Sequence, residues 1–356
     1  MRAYTDFRDA IEEALRDSSN TYWSTGEIDS RIITALREAS RYRPHLVRIT
    51  YQIESRYGTA TSTSSGNLVD ATKDQFLSTD TGKRIYNETD HTWADVLSYS
   101  DAETLGLSHD IMASGEEYYM YNKGCSNNRQ INLEDILDYV GENCGVQRLE
   151  YPIGKRRNVD WVDSAGILQI GMNRNPDDSD PNKTNQKIDI HVWVNKRHKI
   201  SQLTDFAGAV NNAGGYSKGA TSMAINGLQS TGTIERDQEF TLANRDQVYT
   251  VTAAATISSN AATISFYPGL DADVANSVVI TLTQSTLDEE LEEILLKYIV
   301  GQCMIDEAKT HIPTFSLGGT NTYKRFLDAA SVDYNDARRR LERLARPEPT
   351  KVYARL

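Results

Sequence analysis

Helical periodicity at both ends of the chain, with a two-residue period between them, restricts what this sequence can fold into more than any other feature. From Thr5 to Arg43 two amphipathic helices are legible. The first sets Phe7, Ala10, Ile11, Ala14 and Leu15 on one face, and Asp17-Ser18-Ser19-Asn20 stops it. The second opens on Ser24 with Glu27 three residues on, the spacing of a capping box, and Trp23 and Ile28 stand where a hydrophobic staple requires them. Ile28, Ile32, Ala35, Leu36 and Ala39 continue the stripe until Pro44 ends it.

At the other end, Thr286 and Glu289 have capping-box spacing ahead of a wide apolar face of Leu287, Leu291, Ile294, Leu295, Tyr298, Ile299 and Cys303. Pro313 and Gly318-Gly319 mark a link. The last helix steps by four and three through Tyr323, Leu327, Ala330, Tyr334, Ala337, Leu341 and Leu344, the seam of a coiled-coil-like pairing. The economical arrangement is a split bundle in which the N-terminal pair packs on the C-terminal pair. Its packing residues are expected to include Trp23, Ile28, Ile32, Leu36, Leu291, Leu295, Leu327 and Leu341.

The middle reads as strands. Val47, Ile49, Tyr51 and Ile53 alternate with polar residues, and strand-like runs follow at 83–87, 92–98 and 117–122, with a Thr, Ser and Gly tract from Gly58 to Asn67 between. Leu133, Ile136, Leu137 and Val140 give a short helical signal. Strands return from Val146 to Ile153 and at 159–162, 166–171 and 188–194. Beyond a Gly- and Asn-rich hinge at 211–218, short runs at 223–225, 238–242, 247–253, 262–267 and 277–283 have the spacing of a sandwich or small barrel. The expected class is α+β: a split helical bundle with a β-rich middle and inserted small β-barrel or immunoglobulin-like modules. Its divisions are 1–44, a helical hairpin; 45–122, a β-module; 123–212, a β-element; 213–284, an inserted β-module; 285–346, the closing helices; and 347–356, a tail.

At 356 residues several cores are expected rather than one. The hydrophobic fraction of 39% is low, no apolar run reaches membrane-span length, and Met1 leads straight into a polar helix, so neither a span nor a secretory signal is expected. A net charge of −12 argues against a clamp that grips DNA through its phosphates, although an acidic protein can surround DNA without holding it. Cys125, Cys144 and Cys303 lack zinc-ligand spacing and are expected to be reduced structural thiols. Tyrosine outnumbers phenylalanine 19 to 7, which suits partly wet sheets and interfaces.

No catalytic constellation is legible. Glu12-Glu13, Glu116-Glu117, Asp177-Asp178 and Glu289-Glu290 are pairs in sequence only, and Asp177-Asp178-Ser179-Asp180 lacks the glycine and closing glutamate of a calcium loop. His191 and His198, near Asp189, are an odd separation apart and fall on opposite faces of a strand, as surface or interface histidines. Gly214 to Gly219 lacks the phosphate-loop order, so no enzyme, cofactor or metal is expected.

The wording of certain stretches goes further than their periodicity. DSSNTYWSTGEID followed by ALREASRYRP resembles the N-terminal signature of the head-to-tail adaptor (connector) proteins of tailed bacteriophages. VQRLEYPIGKRRNVDWVDSAGILQIG with KIDIHVWVNKRHKIS resembles the middle of the same proteins, where a β-element is threaded between helices. The inserted β-modules depart from that minimal plan; phrases such as EFTLANRDQVYTV resemble modules of phage capsid and neck proteins.

The resemblance implies a structural virion protein of the head-tail neck, made in the bacterial host cytoplasm. It implies a homo-oligomeric ring, commonly of twelve copies, that sits beneath the portal protein, extends the DNA channel for the genomic double-stranded DNA, and receives the next neck or tail protein. It also implies portal docking through the C-terminal segment, which falls here on Arg338, Arg339, Arg340, Arg343, Arg346, Lys351, Tyr353, Arg355 and Leu356. A reading from another class remains beside it: a β-domain virion module that binds a receptor or carbohydrate, with the helices as its anchor.

Overall fold

A computed structural model describes residues 2–134, 136, 139–141, 145–161, 166–172, 183–184, 187–311 and 320–345. The fold is α+β, with helices from both ends of the chain around a β-rich middle that holds a half-barrel and a closed six-strand barrel. Of the stretches read from sequence, Leu137, Cys144, Asp177 to Asp180, Pro313, Gly318-Gly319 and the tail from Arg346 lie outside the described residues, as does the side chain of Tyr323.

Helix α1 (Tyr4–Leu15) ends on Arg16 in the left-handed conformation. The link beyond it is organised by the Asp17 carboxylate, which accepts the backbone N–H groups of Thr21, Tyr22 and Trp23 at 2.8, 2.9 and 2.8 Å. Burial pushes that carboxyl up, but the three donors outweigh it and hold it below the ordinary carboxylate range. Helix α2 (Thr25–Tyr42) starts on the expected capping box, with the Glu27 N–H donating to Ser24 Oγ and the Ser24 N–H donating to Glu27 Oε2. Trp23 is half-buried against the core.

The C-terminal pair, α3 (Glu289–His311) and α4 (Thr320–Leu344), completes the bundle. Ile28, Ile32, Ala35, Leu36 and Ala39 of α2 share one buried cluster with Phe7 and Ile11 of α1, Leu291, Leu295, Ile299 and Cys303 of α3, and Ala337 and Leu341 of α4. Neighbours are antiparallel, as the ion pairs Arg31–Asp306 (2.6 Å) and Arg43–Asp288 (2.5 Å) at opposite ends of α2 and α3 require. Gly301 lets α4 approach α3, since a Cβ there would lie 3.0 Å from the Tyr334 nitrogen. The cap of α3 differs from expectation: Asp288 Oδ1 accepts the Leu291 N–H at 2.8 Å. Thr286 is taken by the chain segment beside it, where its Oγ1 accepts the Lys199 N–H at 2.8 Å.

The middle begins with β1 (His45–Glu54) and a six-strand antiparallel module of β2 (Tyr57–Thr59), β3 (Asn67–Val69), β4 (Arg84–Asn87), β5 (Thr92–Asp101), β6 (Thr104–Leu107) and β7 (Glu117–Tyr121) in the order β2-β7-β4-β5-β6-β3. A buried ion cluster ties the module to β1: the Arg56 guanidinium donates to Glu54 at 2.8 Å and to both Asp80 oxygens at 2.6 and 2.7 Å, and Lys83 reaches the same two carboxylates. Burial disfavours the Arg56 charge, yet Glu54 and Asp80 outweigh it and hold the group above the usual arginine range.

Next come β8 (Gln130–Asn132), β9 (Val146–Glu150), β10 (Arg156–Arg157), β11 (Val159–Trp161), β12 (Ile167–Ile170), β13 (Lys183–Thr184) and β14 (Lys187–Lys196). β14 pairs with β1 along its whole length, from His45 opposite Lys196 to Glu54 opposite Lys187, and β9 lies on its other side. The small sheet β11-β12-β8 shares the buried cluster of Val47, Ile49, Leu149, Leu168, Val192 and Val194. No helix forms among the described residues of 133–140. Leu133 and Ile136 are buried and the Ile136 N–H closes one turn on the Leu133 carbonyl at 2.9 Å, but the Val140 N–H donates to the Asn195 carbonyl at 2.9 Å, so the described end of the stretch pairs with a neighbouring strand.

The barrel is built from β15 (Ala207–Val210), β16 (Ser222–Asn226), β17 (Thr231–Ile234), β18 (Glu239–Leu242), β19 (Val248–Val251), β20 (Ala255–Ser258), β21 (Ala261–Tyr267) and β22 (Val279–Leu282). The ring β16-β15-β22-β18-β19-β21 closes because β16 also pairs with β21, while β20 and β17 extend from it. Stacked Phe240 and Tyr249, 5.2 Å apart, meet the edge of Phe266 at its centre. The barrel hangs on two paired segments: the Ser201 N–H donates to the Gln284 carbonyl (2.8 Å) and the Thr286 N–H to the Lys199 carbonyl (3.0 Å), with Ile200 between them buried in the helical core.

Replacing Ile32, fully buried at the centre of the bundle, with Ala is expected to lower the unfolding free energy by about 2–5 kcal/mol. Trp23→Ala, at a half-buried corner, should cost less, about 1–3 kcal/mol. Urea denaturation of both variants checks the order, and a Trp23 loss equal to that of Ile32 would contradict the half-buried placement.

Candidate functional site

Arg338, Arg339, Arg340 and Arg343 all lie exposed on the last turns of α4. Arg340 pairs with Asp336 at 2.9 Å and Arg338 with Glu342 at 3.3 Å. Arg338 also bonds the Tyr42 side chain, which with Glu342 holds its guanidinium above the ordinary range. Arg346, Lys351, Tyr353, Arg355 and Leu356 lie outside the described residues. Of the packing residues, Ile28, Ile32, Leu36, Leu291, Leu295 and Leu341 meet in the one helical cluster; Trp23 flanks it, and Leu327 is half-buried outside it.

The carboxylate pairs among the described residues do not converge. Glu12 is buried while Glu13 is exposed, Glu117 and both Glu289 and Glu290 are exposed, and half-buried Glu116 accepts from Asn87 and from the Ala113 N–H. Among the described residues no group of three histidine, cysteine or carboxylate side chains is placed to hold a metal. Cys125 and Cys303 are buried, and burial pushes the Cys303 thiol up to about 11. His191 is half-buried with the edge of its ring on Trp193, 5.7 Å between centroids.

His198, read from sequence as a surface or interface histidine, is buried within the chain. β14 ends at Lys196, and the ring turns in between the bundle and the barrel stalk, where it is buried. Its Nε2 donates to the Arg43 carbonyl at 2.7 Å, which leaves Nδ1 to accept from the Thr286 hydroxyl at 3.1 Å. The His198 N–H donates to Ser40 Oγ, whose hydroxyl donates to Leu36 within α2. Beside this joint the buried Glu239 of β18 meets His45 Nε2 at 3.0 Å and Lys196 Nζ at 3.4 Å. Burial alone would raise Glu239 and lower Lys196; their attraction to each other and to the groups around them reverses both shifts.

The arrangement most suited to binding was not legible in sequence. Cross-strand register aligns Tyr57 with Tyr119, Tyr119 with Tyr86, and Tyr86 with Trp93, so four aromatic side chains form one row across β2, β7, β4 and β5. Trp93 is 50% exposed and Tyr57 42% exposed. Arg84 lies over Trp93 at 4.4 Å and Lys73 over Tyr57 at 3.9 Å, and the rings of His91 and His109 flank the row. Such a surface offers flat apolar faces with hydroxyls and imidazoles at their edges.

The His198 joint has a pH consequence. Burial, its largest influence, pushes the imidazole from 6.5 down to about 4. Between those values the unfolded chain binds a proton that the folded chain refuses, so stability falls as pH drops through that window, by about 3 kcal/mol. In urea titrations from pH 7 to pH 4, the stability difference between the natural chain and His198→Gln should shrink by that amount; a constant difference would contradict the buried neutral ring.

No family model, curated protein or solved structure matches the chain.

Proposed function

We propose that this chain is a structural ring subunit of a tailed-phage neck, a head-to-tail adaptor that sits beneath the portal, prolongs the DNA channel and joins capsid to tail. The observation that carries the reading is the split bundle: α1 and α2 close on α3 and α4 across the whole β-rich middle, and the closing helix ends in exposed arginines. This is the plan implied by the resemblance of residues 17–44 and 146–201 to adaptor proteins. The mechanism is assembly. Head-to-tail contacts generate a closed ring when each subunit exposes two different complementary faces, and the basic end of α4 and the tyrosine-rich module supply chemically distinct surfaces. Portal docking is assigned to Arg338, Arg339, Arg340, Arg343 and the segment from Arg346 to Leu356; the net charge of −12 suits a lumen through which DNA slides without being held. Among the described residues no helix is long and apolar enough to cross a membrane.

The aromatic row favours a second reading, a virion module that binds a receptor or carbohydrate. The two are separated by one set of measurements on the full chain. Rings in electron micrographs that co-sediment with purified portal, and lose it when Arg346 to Leu356 is deleted, are the expected outcome. Rings that bind portal equally well without that segment would remove the docking assignment. Glycan-array binding abolished by Trp93→Ala, without ring formation, would replace the adaptor reading.

A further inference from the structure

The row of Tyr57, Tyr119, Tyr86 and Trp93 has a charged border. Two residues beyond Tyr86 and Tyr119 the Glu88 N–H still donates to the Glu117 carbonyl, at 2.8 Å, so two exposed carboxylates stand opposite one another on neighbouring strands. Strand alternation puts both on the face of the row. Burial, and after it the charge of Glu88, push the hydroxyl of Tyr121 up to about 12, and Tyr121 stacks on both Tyr86 and Tyr119. Like charges directly opposite on paired strands destabilise the sheet that carries them, and among the described residues neither carboxylate is paired with a cation. The rings already take cations at the two ends of the row, Lys73 over Tyr57 at 3.9 Å and Arg84 over Trp93 at 4.4 Å. Arg84 is neutralised by Asp95 at 3.4 Å, and Lys73 is turned to the Tyr57 carbonyl. The middle of the row, beside Glu88 and Glu117, is where a further cation fits.

The end of α4 carries the complement. Arg338 and Arg340 are held by Glu342 and Asp336 of their own helix. Arg339 and Arg343 have no carboxylate partner among the described residues. With Val332, which is 66% exposed, they fall at spacings of seven and four on one stripe, on the side of the helix away from the buried Ala337 and Leu341. Side chains four apart on a helix stand about 6 Å from each other, and those directly opposite on paired strands about 5 Å, so two arginines can meet both carboxylates at once. Their guanidinium planes then lie along the faces of Tyr86 and Tyr119, a favourable placement for a cation over an aromatic ring, while Val332 gives the row an apolar contact. Both surfaces are exposed in the same chain, so neither covers the other within it. The matching half of each is carried by another copy.

We propose that copies of this chain associate head to tail, with the Val332, Arg339 and Arg343 stripe of one copy seated on the aromatic row and the Glu88 and Glu117 pair of the next. The contact joins unlike surfaces and so runs in one direction, giving a ring if the rotation closes and an open filament if it does not. It rests on the ring reading above for closure alone, and it names the lateral contact of that ring. Arg339 and Arg343 then serve the neighbouring copy rather than the portal.

The test is sedimentation velocity on the full chain, with electron micrographs of the same samples. The natural chain is expected to self-associate, and less so as salt is added. Glu88→Arg with Glu117→Arg, and separately Arg339→Glu with Arg343→Glu, should each weaken association at least tenfold. All four positions are exposed, and circular dichroism checks that both variants stay folded. An equimolar mixture of the two variants should recover association, because the acidic stripe of one meets the basic face of the other and their unchanged surfaces meet in turn. Association indifferent to either swap, or a mixture no better than its parts, overturns this contact; rings that persist through both swaps leave the ring reading standing without it. A natural chain that stays monomeric overturns the contact as well, and one that also forms no rings on purified portal removes the ring reading with it.

Discussion

The structure depends on closing one apolar core with residues from opposite ends of the chain. Ile32 and Leu36 have no complete environment until Leu291, Leu295 and Leu341 arrive, and nearly all of the β-rich sequence lies between them. Such a closure is entropically affordable because loop cost grows only logarithmically, about 0.6 kcal/mol for each doubling of length. The inserted modules reduce even that cost, since each holds its own buried cluster and presents the bundle with two adjacent ends rather than a long free loop. The barrel meets a further requirement of an insertion: six of its strands close on themselves and offer few free edges for unwanted pairing.

Apolar packing says which elements associate, and the polar joints fix how they sit. Ser40, His198 and Thr286 link α2, the end of β14 and the entrance to α3 through hydrogen bonds with defined directions. Glu239 then binds the barrel to His45 and Lys196 of the central sheet, and Arg56 does the same for the first module through Glu54 and Asp80. A buried ion pair is weak evidence of net stabilisation, because desolvation offsets most of the attraction. Losing one partner is costly all the same, so these contacts penalise any other orientation of the modules more than they stabilise this one.

Much of this was legible before the structure, and the exceptions share a cause. Amphipathic helices and alternating strands announce themselves because their period is local, and the Ser24–Glu27 box formed as read. What failed depended on partners remote in sequence. Thr286 had the spacing of a cap, but Lys199 claims its hydroxyl and Asp288 takes the role. The run from Leu133 to Val140 had a helical stripe, but Asn195 offers its backbone a strand partner. His198 read as a surface or interface histidine because nothing local says that Arg43 and Thr286 will enclose it. The row of Tyr57, Tyr119, Tyr86 and Trp93 was hidden most completely, since only strand register brings together residues from four separate strands. The tyrosine excess was its one outward sign.

These placements separate the surfaces that hold the fold together from those that face outward. The joints among bundle, sheet and barrel consume His45, His198, Lys196, Glu239 and Thr286, so the chemistry concentrated there is structural. Among the described residues two outward surfaces differ plainly in chemistry: the arginines that close α4, and the aromatic row of the first module. One is cationic and set on a rigid helix, the other is flat, amphipathic and set on a sheet that the Arg56 cluster fixes to β1. A surface that must bind its own copy across a two-fold axis has to be self-complementary, whereas two unlike surfaces on one rigid body favour contacts that run in a single direction. For the ring proposed above, rigidity between them would be as important as their chemistry, because a ring closes only if every copy repeats the same angle, and the buried polar joints are the contacts that would fix it.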